Sequence, residues 1–323
     1  MKFSLSGMTY LKFFLPLIIE GNKRNIHSEM LVSPSHKYNC PYLYKDYLEK
    51  ISKTYNFKIK SIEDDSVEKD ILFVVEGSSD NLINKRKTIS LCCSTDFTVL
   101  YENYINRVDN VIFNSKFISD IYNKKNEKNL YFGTPKFDSV LEEESIFDKY
   151  SLNRDKKVVT IFYPRLRDIN SCPLERIVKF LKEMNYQVIL KSREKDPFVE
   201  SHKIIADKFF YDMSWHPHTS LELIKVSDLI VNFSSSVIEE TTFFEKPMIN
   251  FHIKPFEKPL NFLYQFNFVK NLESNFLRED FEKSIWDLTN NSFKKDFNSA
   301  SSLLLESKNS SKDILDFIQK NNY

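Results

Sequence analysis

Along most of the chain, short apolar runs bounded by polar turns alternate with stretches of helical spacing. Met1 to Gly7 alternates apolar and polar positions, Thr9 to Glu20 sets Leu11, Phe14, Leu15 and Ile18 on one helical face, and Ile26 to Val32 is apolar again. This spacing predicts strand, helix, strand, the opening of a βαβ unit. Further on, Asp70 to Val75 (DILFVV), Thr88 to Cys92 (TISLC) and Asn110 to Phe113 (NVIF) are runs rich in Val, Ile and Phe. Such runs are what parallel strands covered on both faces require. Leu130 to Phe132 closes the series, just before Gly133-Thr134-Pro135.

Glu142 to Lys157 (EEESIFDKYSLNRDKK) is dense in charge and predicts a linker. A second cycle follows: strand Val158 to Tyr163, helix Leu174 to Met184, strand Gln187 to Lys191, helix Ser220 to Val226 and strand Leu229 to Asn232. A helix through Glu239, Glu240 and Phe244 and a strand Met248 to Phe251 complete it, and Phe276 to Tyr323 is polar and helical. The expected architecture is α/β, with two doubly wound domains facing one another across a cleft: residues 1–150, and residues 151–323 with the C-terminal helices.

Composition narrows the function classes. The 323 residues suit two domains, and 41% hydrophobic with 28% charged residues describes a soluble globular protein. Lys+Arg 46 against Asp+Glu 45 excludes a protein that holds nucleic acid mainly by bulk charge. Only 4 glycines occur, so the glycine-rich phosphate loops G-x-G-x-x-G and Walker A are absent. Cys40, Cys92, Cys93 and Cys172 contain no C-x-x-C pair, which points to thiols in a reducing compartment. The most apolar stretch, Tyr10 to Ile19, contains Lys12 and Pro16 and is about half the roughly 18 residues that a spanning helix needs. It has no small-residue cleavage site, so the cytoplasm is the expected location; that amphipathic face is the place for any peripheral contact with the inner membrane surface, but burial in the first domain is the preferred reading of it.

Ligands of open α/β sheets bind beyond the carboxyl ends of the strands. In the second half those places hold Pro164-Arg165-Leu166-Arg167-Asp168, Ser192-Arg193-Glu194-Lys195-Asp196 and Phe233-Ser234-Ser235-Ser236-Val237-Ile238-Glu239-Glu240. Hydroxyls and free amides where a strand hands over to a helix can hold a phosphate without a glycine loop, although a serine there also serves as an ordinary helix cap. Arg165, Arg167 and Arg193 suit a bidentate grip on a diphosphate, and Glu239 or Glu240 can accept from ribose hydroxyls. Trp215 and His216, in a loop, are candidates to stack on or pair with a nucleotide base. His216-Pro217-His218 has no carboxylate at a metal-ligand spacing and Asp64-Asp65 falls in a polar turn, so neither a metal nor another cofactor is expected.

Ser227 to Glu240 (SDLIVNFSSSVIEE), continuing to Glu245-Lys246-Pro247-Met248-Ile249, resembles the signature of GT-B fold transferases, most closely the CDP-glycerol glycerophosphotransferase family of teichoic-acid and capsule synthesis. Phe162 to Asp168 (FYPRLRD) resembles that family's Tyr-Ala-Pro-Thr-x-Arg-Asp, and Gly133 to Asp138 (GTPKFD) its Gly-x-Pro-x-x-Asp. These matches span roughly residues 110 to 252, and the serine-rich turn is shared with UDP-N-acetylglucosamine 2-epimerases. The resemblance implies that Ser234, Ser235 and Ser236 hold the donor phosphates, Glu239 or Glu240 the ribose, and Arg167 the charge of the leaving group. The chain departs from the family at Lys191-Ser192-Arg193, where Lys-Pro-His-Pro is usual, at Cys93-Ser94-Thr95-Asp96-Phe97, where His-Gly is usual, and at Asn232, where Asp is usual. These departures shift the expectation from glycerophosphate toward sugar transfer.

A metal-independent transferase also needs a base for the acceptor hydroxyl. Asp96 after TISLC and Glu76 after DILFVV are the acidic candidates, with Asp96 preferred and also suited to capping a helix; His27 and His36 are alternatives. The expected function is transfer of a sugar or polyol phosphate from a CDP- or UDP-linked donor to a glycan or lipid-linked acceptor, without nucleic acid. A nucleotide-sugar 2-epimerase and a non-catalytic nucleotide- or glycan-binding module are the alternatives.

Overall fold

The structure is a computed structural model, and it describes residues 1–32, 45–65, 70–75, 86–92, 105–121, 124–138, 142–164, 166–192, 200–210, 218–252 and 259–321. The chain divides into one unit of Met1–Ser139 with Ser302–Tyr323 and a second of Val140–Ser301.

The first unit is a sheet of β1 (Lys2–Leu5), β2 (Glu29–Val32), β3 (Lys58–Ser61), β4 (Leu72–Val75), β5 (Thr88–Leu91), β6 (Asn110–Phe113) and β7 (Asn129–Tyr131). Their order is β3-β2-β1-β4-β5-β6-β7, and every pairing is parallel. The helices α1 (Leu11–Lys23), α2 (Lys45–Tyr55) and α3 (Lys116–Ile121) connect the strands. The second unit contains α4 (Glu143–Tyr150), β8 (Val158–Phe162), α5 (Leu174–Glu183), β9 (Gln187–Lys191), α6 (Glu200–Ile205), β10 (Lys208–Phe210), α7 (Thr219–Val226), β11 (Leu229–Asn232), α8 (Val237–Phe243), β12 (Met248–Phe251), β13 (Val269–Leu272), α9 (Arg278–Asn290) and most of α10 (Lys294–Leu304). Its strands are parallel in the order β10-β9-β8-β11-β12-β13. In both sheets the order reverses at the first strand, the arrangement of a doubly wound fold.

The central strands are buried on both faces, as their continuous apolar runs predict. The edge strands KIKS, KFF and VKNL were not legible, because half-exposed edges carry no unbroken apolar run.

The expected linker is instead a folded helix, and the boundary falls before residue 150. Ile146 of α4 is buried against Val158, Ile189, Leu223 and Val226, Lys149 pairs with Glu222 at 2.8 Å, and the Tyr150 hydroxyl donates to the same carboxylate. The C-terminal helix α11 (Ser310–Lys320) likewise belongs to the first unit. Asp138 accepts from the Ser311 N–H at 2.6 Å, Ser115 Oγ donates to the Leu303 carbonyl at 2.5 Å, and Arg24 pairs with Asp316 at 2.7 Å. Gly133 explains why the contact is close: its φ is +78°, and a Cβ there would lie 2.5 Å from Ser310 Oγ and 2.7 Å from the Ser307 carbonyl oxygen. GTPKFD is therefore, in this chain, the seat of the C-terminal helix.

One further expectation changes. Asp65 does not sit in a solvated turn: its carboxylate is fully buried between Lys2 Nζ at 2.7 Å and Arg86 Nη2 at 2.6 Å, at the amino ends of the strands. The apolar face of Tyr10 to Ile19 is spent inside the first unit, as expected in preference to a membrane contact: Leu11, Phe13, Phe14, Leu15, Leu17 and Ile18 are buried there. Among the described residues, no helix is long and apolar enough to cross a membrane.

Candidate functional site

Strand β11 ends at Asn232, and the chain turns through Phe233 to Ser236 before α8 begins. Ser234 takes φ +51°, the left-handed region that costs a non-glycine residue roughly 1–2 kcal/mol. A row of polar side chains holds it there. Asn232, Asn250 and Asn271 occupy matching positions on β11, β12 and β13, at or next to the carboxyl ends of these strands. The Ser234 N–H donates to Asn250 Oδ1 at 2.9 Å, and Asn250 Nδ2 donates to Asn271 Oδ1 at 3.0 Å. Asn271 Nδ2 in turn donates to the Tyr264 carbonyl at 2.8 Å.

Asn232 does what an aspartate cannot. Its Oδ1 accepts from the Ser235 N–H at 3.3 Å, while its Nδ2 donates to the Ser235 carbonyl and to the Tyr264 hydroxyl, both at 3.1 Å. The Tyr264 hydroxyl then donates to the same Ser235 carbonyl at 2.9 Å. The amide uses donor and acceptor together, so the change from the aspartate of related signatures is matched by its surroundings. Asn232 and Asn250 are fully buried. Ser234, Ser235 and Ser236 remain half-exposed, and Ser236 caps α8 with no side-chain hydrogen bond to it.

Of the two acids expected at the ribose, Glu239 is buried at 1% exposure and Glu240 is half-buried. Both are on α8.

The register brings another pair beside this turn. Ile161 of β8 pairs with Val231, and Phe162 with Lys191, so Tyr163 stands level with Phe233 on one side and Ser192 on the other. This is the switch point of the second sheet, where doubly wound sheets bind their ligands. The Tyr163 hydroxyl lies 2.7 Å from His202 Nδ1, with both side chains buried. Burial holds the His202 imidazole below its ordinary pKa, against the pull of Glu175 at 3.8 Å. A neutral ring protonated on Nε2, the nitrogen that faces Glu175, accepts a hydrogen bond from the tyrosine hydroxyl at Nδ1.

The backbone of Arg167 lies in the short 3-10 helix Leu166–Ser171 that follows β8. Glu76, Asp96, Arg165, Arg193, Trp215 and His216, as well as His36, lie outside the described residues. His27 precedes β2, with its carbonyl accepting from the chain's amino group at 2.7 Å. The structure thus assembles Ser234 to Ser236 with Glu239 and Glu240 on one strand-to-helix connection, and adds Asn250, Asn271, Tyr264 and His202. The legible signal for Asn250 was an asparagine inside an otherwise apolar strand, MINF. His202 and Tyr264 left none.

No protein-family model matches the sequence, and no curated protein matches it. Solved structures do match in fold. The wall teichoic acid polymerase TagF is 14% identical, with 99% of this chain and 88% of that chain covered and a TM-score of 0.70. A UDP-GlcNAc 2-epimerase from Neisseria meningitidis, solved with UDP-GlcNAc bound, is 11% identical over 99% of this chain and 98% of its own, with a TM-score of 0.63. The glycotransferase of kitacinnamycin is 11% identical over 99% and 97%, with a TM-score of 0.60. At these identities the likeness is one of fold, and the fold is that of the GT-B group.

Proposed function

We propose that this chain is a metal-independent transferase that moves a sugar or polyol phosphate from a CDP- or UDP-linked donor to an acceptor hydroxyl in surface-glycan synthesis. The observation that carries the reading is the strained Ser234 to Ser236 turn at the switch point, held by three in-register asparagines. Left-handed backbone at a non-glycine residue persists only where its surroundings over-determine it, and such strain concentrates at ligand sites. The half-exposed Ser234 to Ser236 side chains beyond a parallel strand suit the oxygens of a diphosphate, while the Ser234 and Ser235 amides are taken up by Asn250 and Asn232. The likeness in fold to TagF and to enzymes that handle nucleotide sugars supports the same assignment.

In this reading the three serines hold the donor phosphates and Glu240, with Glu239, accepts from the ribose. Arg165, Arg167 and Arg193 offset the charge that grows on the leaving nucleotide. Asp96, or Glu76 in its place, takes the proton of the acceptor hydroxyl as that oxygen bonds to the transferred group and the bond to the leaving phosphate oxygen breaks. His216 flanks the base.

The test is a thermal-shift panel of UDP, CDP, GDP, CMP and their sugar and glycerol conjugates. A ligand at a hundredfold its Kd stabilises the native state by about 2.7 kcal/mol. One nucleotide class is expected to raise the midpoint, and Ser235→Ala and Arg167→Ala to abolish the rise. No rise with any nucleotide overturns the reading. Conversion of a bound UDP-sugar to its 2-epimer without acceptor favours the epimerase reading, and binding without turnover in the presence of acceptor favours a binding module.

A further inference from the structure

Beside the serine turn stands a histidine that has no part in the donor assignment so far. His252 directly follows β12, and its N–H still donates to the Leu272 carbonyl at 3.2 Å, so it continues the pleat of the strand by one place. Ile249 and Phe251 are packed in the apolar core with residues of α5 and α9. Asn250 points to the opposite face, toward Ser234 and Asn271. Alternation therefore sets His252 on the face of Asn250, one step nearer the carboxyl end at which the sheet takes its ligand. Two contacts agree with that placement. The His252 ring centroid lies 6.5 Å from that of Tyr264, whose hydroxyl donates to the Ser235 carbonyl at 2.9 Å. The Ser234 hydroxyl donates at 3.4 Å to the Phe251 carbonyl, which belongs to the peptide group that joins Phe251 to His252.

The turn by itself offers a phosphate little. Its Ser234 and Ser235 N–H groups are taken by Asn250 and Asn232, which leaves neutral hydroxyls, and hydrogen bonds between an ionised and a neutral group gain further when the donor can carry charge too. An imidazole is such a donor: it presents one N–H when neutral and two when protonated. His252 is half-buried, and among the described residues neither of its ring nitrogens has a hydrogen-bond partner.

We propose, resting on the donor reading of the serine turn, that His252 is a phosphate-binding residue of that site. Its imidazole N–H donates to a non-bridging oxygen of the same diphosphate that the serine hydroxyls hold, from the β12 side of the turn. The ring contacts the phosphates and leaves the nucleotide base to other residues.

The experiment combines calorimetric titration of the full chain by UDP and CDP with acylation by diethylpyrocarbonate, followed residue by residue through peptide masses. The diphosphate that binds should bind His252→Leu about tenfold more weakly, the loss of one charge-assisted hydrogen bond. His252→Gln, which keeps an N–H donor, should lose about threefold. Urea midpoints without ligand should agree among the parent and both variants. In the parent, the diphosphate and inorganic pyrophosphate should slow acylation of His252 several-fold, uridine and cytidine should not, and exposed His27 should react at an unchanged rate. Equal affinity of parent and His252→Leu, no protection of His252 by the diphosphate, or equal protection by the nucleoside overturns the proposal. So does a loss of affinity in both variants that is matched by a lowered urea midpoint, because His252 would then be structural. In each of these cases diphosphate binding that Ser235→Ala abolishes leaves the donor reading standing, whereas a parent that binds neither UDP nor CDP overturns both.

Discussion

Replacing Asn250 by alanine removes the side chain on which the serine turn depends. Its Oδ1 holds the Ser234 N–H at 2.9 Å and its Nδ2 bonds Asn271 at 3.0 Å. Asn271 is exposed, so water replaces that bond at little loss. The Ser234 N–H is only partly accessible, and an unpaired amide in such a place costs about 1–2 kcal/mol, the lower part of the range for buried groups. Loss of the packed side chain adds about 1 kcal/mol, and relaxation of Ser234 from φ +51° returns part of its strain. The expected net destabilisation is about 2 kcal/mol. Donor affinity should fall further than stability predicts: if the bound form of the turn drops to about a tenth of the population, apparent affinity drops about tenfold. Urea unfolding followed by tryptophan fluorescence reads the right unit, because Trp215 and Trp286 both fall within Val140–Ser301. Adding Ser234→Gly should restore much of the stability, since glycine adopts positive φ freely. An Asn250→Ala midpoint within about 0.3 kcal/mol of the parent, with nucleotide shifts intact, would refute the argument that the asparagine row holds the turn.

Other expectations follow from the same structure. Gly133→Ala should destabilise the first unit by at least about 2 kcal/mol, from positive φ and from collision with Ser307 and Ser310, and should raise hydrogen exchange in α11. Asp65→Asn leaves Lys2 and Arg86 buried around a neutral group and should cost about 3–5 kcal/mol by circular-dichroism melts, whereas Lys23→Ala, at an exposed pair, should cost under about 1 kcal/mol. Burial, with Asp168 nearby, pushes the Cys172 thiol up to about 12, so alkylation by iodoacetamide at pH 8 should leave it unmodified in the folded protein and label it in urea. The lowered pKa of His202 means that the unfolded chain binds the extra proton first. Stability should therefore fall as pH drops from 6.5 toward the folded value, and His202→Gln should remove that part of the slope.

The central strands of both sheets were readable because burial on both faces demands unbroken apolar runs, and DILFVV, VVTIFY and MINF supply them. Lys58–Ser61 and Val269–Leu272 were not, since an edge strand in contact with water needs no such run. The domain boundary was misplaced for a related reason: charge density in EEESIFDKYSLNRDKK hides the single buried Ile146 that ties α4 to the second unit. At the candidate site the serines and their helix were visible in local sequence. What holds them was not, because Asn250, Asn271 and Tyr264 reach the turn from 16, 37 and 30 residues beyond Ser234, through strand register that no local spacing encodes.

GTPKFD and the serine turn carry equal weight as sequence motifs, and the structure separates them physically. In GTPKFD the glycine and the aspartate both serve the chain's own packing: the missing Cβ of Gly133 makes room for Ser307 and Ser310, and Asp138 is bonded to the Ser311 amide. Burial raises the Asp138 pKa while the Ser311 and Ser310 bonds lower it, the balance of a carboxylate set against a helix end. The serine turn runs the other way. Its backbone is fixed from below by Asn232, Asn250 and Tyr264, while its hydroxyl-bearing residues stay half-exposed. Polar residues that are rigidly supported yet half-exposed are ones a ligand can reach, with only long internal bonds to displace, such as that of Ser234 Oγ to the Phe251 carbonyl at 3.4 Å, and on that difference, more than on the resemblance of either motif, rests our proposal that the donor binds at Ser234 to Ser236.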